Sequence, residues 1–120
     1  MSTKFDTVIK SGRILDGTGN PWYAADVGIQ GGRITRIQKE IDPQFARQVI
    51  DAQGLTVCPG FFDSHSHDDV YLLVNPRCDE KILQGVTTNV IGNCGISVSP
   101  LSDEHRAQMT AFLAVMCGQR

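Results

Sequence analysis

The chain has 120 residues, with 11 lysines and arginines against 13 aspartates and glutamates and a net charge of -2 at pH 7. Its 41% hydrophobic and 20% charged residues describe a globular chain and exclude wholesale disorder. The small net charge gives no electrostatic case for nucleic acid or an anionic membrane surface. No apolar run approaches the ~20 residues of a membrane span, and Met1–Gly12 holds no apolar stretch of the secretory kind. A cytoplasmic protein is the expectation.

The first half reads as short strands. Thr7–Ile9 leads through Ser11-Gly12 into Arg13–Leu15, and the run breaks at the turn-forming Asp16–Pro21. Ala25–Gln30 and Arg33–Gln38 follow, with β-branched residues close to period 2, and flank Gly31-Gly32 as the arms of a hairpin. Val49-Ile50 and Leu55–Cys58 flank a further turn at Asp51–Gly54. Together these segments predict a small antiparallel β unit over residues 1–58.

After Pro59-Gly60 the pattern changes. Phe61–His65 reads as a strand that begins buried and ends polar. Pro76–Gln84 reads as a short helix with Asn75 as N-cap, Pro76 at its first position and Gly85 as its stop. Val86–Ile91 is a second strand and Gly92–Gly95 a tight loop; Ser102 then caps a helix over Asp103–Met116, with Phe112, Val115 and Met116 on one side. Strand, helix, strand, helix is the rhythm of a parallel α/β fold over residues 59–120.

The sharpest chemical feature is Asp63-Ser64-His65-Ser66-His67-Asp68-Asp69. On a strand, His65 and His67 would share one face with Asp63 beside them, while Ser64 and Ser66 point away. Two imidazoles held so can supply two nitrogen ligands to a metal ion; the same tripeptide also occurs as a pair of surface histidines. Gly92-Asn93-Cys94-Gly95 follows the second strand and would reach the same rim, its glycines permitting positive φ. Cys94 there is either a thiolate ligand or a buried small thiol. Asp68 and Asp69, with Asp63, are candidates to accept the second imidazole N–H and hold its tautomer, or form a solvated acidic loop.

The remaining residues offer less. Cys58, Cys78, Cys94 and Cys117 contain no C-x-x-C pair, and with no secretory context they read as free thiols. Cys58, Cys78 and Cys117 are read as packing residues and His105 as a surface residue. No phosphate loop, nucleophile elbow or dinucleotide fingerprint is present.

Gly12–Gly19, Ala25-Asp26-Val27 with Gly32-Arg33-Ile34, and Pro59–Asp69 together resemble the opening of the amidohydrolase superfamily. Gly85-Val86-Thr87-Thr88 and Gly92–Ser97 narrow the resemblance to its D-aminoacylase (N-acyl-D-amino-acid deacylase) branch. The resemblance implies a β-sandwich segment at 1–58 and, at 59–120, the first two βα units of a (β/α)₈ TIM barrel, which complete needs ~250 residues. It implies zinc, as one or two ions, with His65, His67 and Cys94 as ligands, Ser66 standing where the family usually has Thr or Val. The substrate it implies is an N-acyl-D-amino acid, hydrolysed at its amide by metal-activated water. No catalytic base is assigned within the chain; it is expected beyond Arg120, so the chain alone is expected to be inactive and to partner the rest of the enzyme. A hydantoinase- or dihydroorotase-like ring amidase is the alternative within the superfamily, and a non-catalytic remnant binding metal or a partner the alternative outside it.

Overall fold

The computed structural model describes residues 4–72 and 74–116, in two compact units, Met1–Pro59 and Gly60–Arg120. The first unit holds five strands: β1 (Phe5–Ile14), β2 (Tyr23–Gln30), β3 (Arg33–Gln38), β4 (Ala46–Asp51) and β5 (Thr56–Val57). Their order is β3-β2-β1-β4, with β5 also pairing β1. The β2–β3 hairpin turns at Gly31 and Gly32, whose φ of 58° and 71° are the left-handed values a two-residue turn needs.

Two expectations change here. Thr7–Ile9 and Arg13-Ile14 are parts of one ten-residue strand, which ends before Leu15, and the sheet is mixed. β2 runs antiparallel to β1, but β4 and β5 run parallel to it, against its first and second halves respectively. The turn at Asp51–Gly54 therefore steps the chain along β1 instead of reversing it.

The two halves of β1 meet at a bulge. Ile9 pairs Val27 and Gly12 pairs Ala25, so Lys10 and Ser11 oppose Asp26 alone, and Ser11 takes a φ of 60°. A bulge frees backbone groups from the ladder, and the carboxylate of Asp26, only 2% exposed, takes them up. It accepts hydrogen bonds from the Ser11 and Ile41 N–H groups, each at 2.8 Å, and from Lys10 Nζ at 2.6 Å. Burial pushes the Asp26 carboxyl up, but these donors and the Lys10 charge outweigh it and hold the group below its ordinary value. Neighbours Val8 and Ile9 serve separate apolar clusters, as strand alternation requires: Val8 with Phe5 and Ile41, Ile9 against Ile14, Ala25 and Val27.

In the second unit, β6 (Phe61–Asp63) and β7 (Val86–Asn89) form a two-stranded parallel sheet, with α1 (Asp68–Tyr71) and α2 (Asp79–Ile82) between them and α3 (Asp103–Met116) after them. Parallel neighbours joined through helices are what the alternating pattern predicts. Close approach explains Gly60: a Cβ there would lie 2.1 Å from Thr87 Oγ1. Both strands are shorter than expected, because β6 ends before the histidines and β7 before Val90. The helix expected over Pro76–Gln84 is reduced to one turn. Cys78 adopts a left-handed φ of 50°, so the helix begins at Asp79, and Asn75 closes the preceding turn by accepting the Cys78 N–H at 3.2 Å. The α3 helix has the expected bounds, with Ser102 at its start accepting the His105 N–H through its carbonyl and contacting His105 Nδ1 through Oγ at 2.8 Å. Among the described residues no helix is long and apolar enough to cross a membrane.

Candidate metal centre

The ends of β6 and β7 build the site. β6 stops at Asp63, whose Oδ1 accepts the His65 N–H at 3.1 Å and turns the chain out of the strand. His67 stands at the start of α1 with φ −115° and ψ 32°. The two histidines are thus presented by a turn, and strand alternation plays no part in bringing them together. Their ring centroids lie 5.9 Å apart at an interplanar angle of 72°.

Cys94 approaches from the neighbouring loop. Gly92 (φ 78°) and Gly95 (φ 73°) flank it as the sequence suggests, and Cys94 itself takes a φ of 56°, a strained value for a residue with a Cβ. Its thiol is exposed, which sets aside the buried packing alternative, and Sγ lies 3.4 Å from His65 Nε2. One ligand atom from each of His65, His67 and Cys94 falls within 4.8 Å of the others.

This donor set suits zinc. Ligands at about 2.0–2.3 Å around a tetrahedral ion stand about 3.5 Å from one another, so only small side-chain movements separate the present geometry from ligation. His67 Nδ1 is buried with no hydrogen-bond partner among the described residues, a polar atom in need of one. Two nitrogens and one sulfur would fill three of the four positions of a tetrahedral zinc site.

None of Asp63, Asp68 and Asp69 accepts a hydrogen bond from an imidazole among the described residues. Lys81 of α2, absent from the sequence reading, pairs with Asp63 and lies 3.3 Å from Asp68. Its hydrogen bond, then the His65 N–H, hold the Asp63 carboxyl below the usual range; Asp63 in turn raises Lys81, against its desolvation. Asp69 is 4% exposed, with both carboxylate oxygens unpartnered among the described residues. Cys78 is buried, as a packing thiol should be, and burial followed by the charge of Asp68 pushes it up. Cys58 is exposed, contrary to the packing role read for it, and Cys117 lies outside the described residues.

A set of hydrogen bonds joins the loop of His65 and His67 to the loop of Cys94. The Val90 carbonyl accepts from Ser66 N–H at 3.2 Å, Ser66 Oγ at 3.3 Å and Asn93 Nδ2 at 2.8 Å, and Asn93 Nδ2 also donates to the Ser66 carbonyl at 3.1 Å. Ser66 and Asn93 carried no role in the sequence reading. Asn93, placed between the two glycines of the Gly92–Gly95 loop, had only its amide chemistry to signal one.

Known proteins share this chain's sequence and fold. A D-aminoacylase of Alcaligenes xylosoxydans xylosoxydans is 46% identical over 101 residues, 84% of this chain and 21% of that protein. An N-acyl-D-aspartate deacylase of the same organism is 46% identical over 101 residues, 81% of this chain and 19% of that protein. The crystal structure of an N-acyl-D-glutamate deacylase from Bordetella bronchiseptica, complexed with zinc and a phosphonate inhibitor, superposes with a TM-score of 0.74 at 46% identity, covering 81% of this chain and 20% of that one. The chain thus spans about a fifth of the length of the relatives it matches. Residues 48–113, more than half of the chain, match the amidohydrolase family as a whole, and the chain is a member of that family.

Proposed function

We propose that this chain carries part of the metal centre of an enzyme that hydrolyses the amide of N-acyl-D-amino acids, with zinc, as one or two ions, held by His65, His67 and Cys94. The observation that carries the reading is the convergence of these ligand atoms within 4.8 Å, in a chain whose relatives include a D-aminoacylase and an N-acyl-D-aspartate deacylase. In this proposal residues 1–58 form a β-sandwich segment and residues 59–120 the opening two βα units of a (β/α)₈ barrel, so the centre lies at the C-terminal ends of the first two barrel strands.

Zinc at such a centre lowers the pKa of water and polarises a scissile carbonyl. His65 and His67 serve as neutral nitrogen donors, and Cys94 gives up its thiol proton to ligate. The exposed side of His65 and Cys94 leaves an approach for a small N-acylated substrate. Asp63 holds the backbone of His65, and Lys81 holds Asp63 and Asp68, so the imidazoles are aimed before metal arrives. Of the nearby carboxylates, Asp63 and Asp68 are committed to Lys81 and Asp69 is buried at 4% exposure, so none is assigned as the base that takes the proton of the attacking water. The proposal therefore leaves that base to the rest of the enzyme and makes the chain inactive alone.

The test pairs metal content with substrate choice. The chain should bind zinc, Cys94→Ser should weaken that binding, and the chain joined to the sequence following it in frame should turn over N-acetyl-D-methionine in preference to hydantoin. Turnover of hydantoin but not of the D-amino-acid derivative would overturn the assignment in favour of a ring amidase. Zinc binding without turnover of either would leave a metal-binding remnant.

A further inference from the structure

Resting on that metal-centre reading, we infer that Asn93 is a positioning residue of the centre: its side-chain amide ties the loop that carries His65 and His67 to the loop that carries Cys94. Both bonds run from Nδ2, to the Ser66 carbonyl at 3.1 Å and to the Val90 carbonyl at 2.8 Å. An amide nitrogen has two hydrogens and no acceptor capacity, so two carbonyls facing it use its full valence and fix which way the amide points. Aspartate has no donor to offer there and serine only one.

The placement explains the consequence. Ser66 lies between the two histidines and is 6% exposed, so its carbonyl is carried by the same backbone that sets both imidazoles. Asn93 directly precedes Cys94, whose left-handed backbone (φ 56°) aims the thiol. One side chain therefore spans two segments 27 residues apart in sequence, the two that carry His65, His67 and Cys94. Among the described residues the other backbone and serine links at this junction, Ser66 N–H and Oγ to the Val90 carbonyl and Val90 N–H to the Asp63 carbonyl, hold the histidine loop to the end of β7 but do not reach the residue beside Cys94. Residues that orient metal ligands through hydrogen bonds commonly change metal affinity 10–100-fold when replaced.

The experiment uses the 120-residue chain loaded with cobalt(II), whose thiolate charge-transfer band reports Cys94 ligation. Affinity is read by competition with a chelator, and folding by circular dichroism. Asn93→Asp and Asn93→Ala are expected to keep the folded signal, to bind about 10–100-fold more weakly, and to lose intensity in the thiolate band. Asn93→Ser, with one donor, should fall between them and the unsubstituted chain. Affinity and band unchanged in Asn93→Asp would overturn the inference. So would loss of the folded signal in all three variants, which would assign Asn93 to the fold of the unit and not to the centre. Absence of the band from the unsubstituted chain would instead refute the metal-centre reading.

Discussion

Asp26→Asn tests the clamp at the β1 bulge. The native carboxylate receives Lys10 Nζ and the Ile41 N–H on Oδ2 and the Ser11 N–H on Oδ1. Asparagine keeps one acceptor oxygen but turns an NH₂ toward the remaining donors, leaving Lys10 with only the Ile41 carbonyl at 2.9 Å. Removing one member of a buried ion pair costs about 3–5 kcal/mol. The Lys10 side chain is 20% exposed and keeps some water, which places the expected loss near the lower end, about 3 kcal/mol. A unit of this size has about 3–9 kcal/mol in total at the usual stability per residue, so the loss is a large share. With a urea slope of about 1–2 kcal/mol/M, the midpoint should fall by roughly 1.5–3 M, and the Ser11 and Ile41 amides should lose hydrogen-exchange protection. The pH dependence has a definite sign. Because the native carboxyl sits below its ordinary value of 3.8, its stabilisation is complete above that pH and is lost as pH falls through the lowered native value. Asp26→Asn should remove this acid limb. A variant within 0.5 kcal/mol of the native chain (about a twofold change in equilibrium constant) and with both amides still protected would refute the clamp.

Three further outcomes are expected. Gly28→Ala should destabilise by about 1–3 kcal/mol in urea titration, because its Cβ would lie 2.6 Å from Cε1 of the buried Phe5; an unchanged midpoint would show that the ring yields. Lys81→Met should move the Asp63 carboxyl upward in an NMR titration. The pair's contribution in the native chain is present above pH 3.8 and lost as pH falls through the lowered Asp63 value, and the substitution should flatten that window. An unmoved Asp63 titration would remove Lys81 from the site's electrostatics. A thiol reagent at neutral pH, followed by peptide mapping, should modify the exposed Cys58 and Cys94 quickly and Cys78 slowly, with zinc protecting Cys94; equal rates at Cys58 and Cys78 would contradict the burial assigned to Cys78.

Local chemistry made several features legible in the residues alone. The Gly31-Gly32 turn was readable because its positive φ values nearly require glycine, and α3 because its cap, first-turn acids and length agree. The histidine pair and Cys94 were readable as a candidate set because each falls just beyond a strand of a parallel pair. Other features had no local signal. Ser11, Cys78 and Cys94 take left-handed φ without being glycine, and at Cys78 this shortened a helix that the capping pattern otherwise supported. The polarity of β4 and β5 against β1 was equally hidden, because a strand's sequence shows which side chains face inward but not which way its neighbour runs.

The sequence by itself determined the kinds of segment, the donor types that His65, His67 and Cys94 offer, and the family to which they point. Only the tertiary structure decided how those three side chains meet. A turn at Asp63, not strand alternation, gathers the histidines, and two of the three acids expected beside the imidazoles, Asp63 and Asp68, are taken by Lys81. The reason is range: turn chemistry and periodicity act over a few residues, whereas the bonds from Asn93 to Ser66 and from Lys81 to Asp63 join segments 27 and 18 positions apart, whose pairing is chosen by packing.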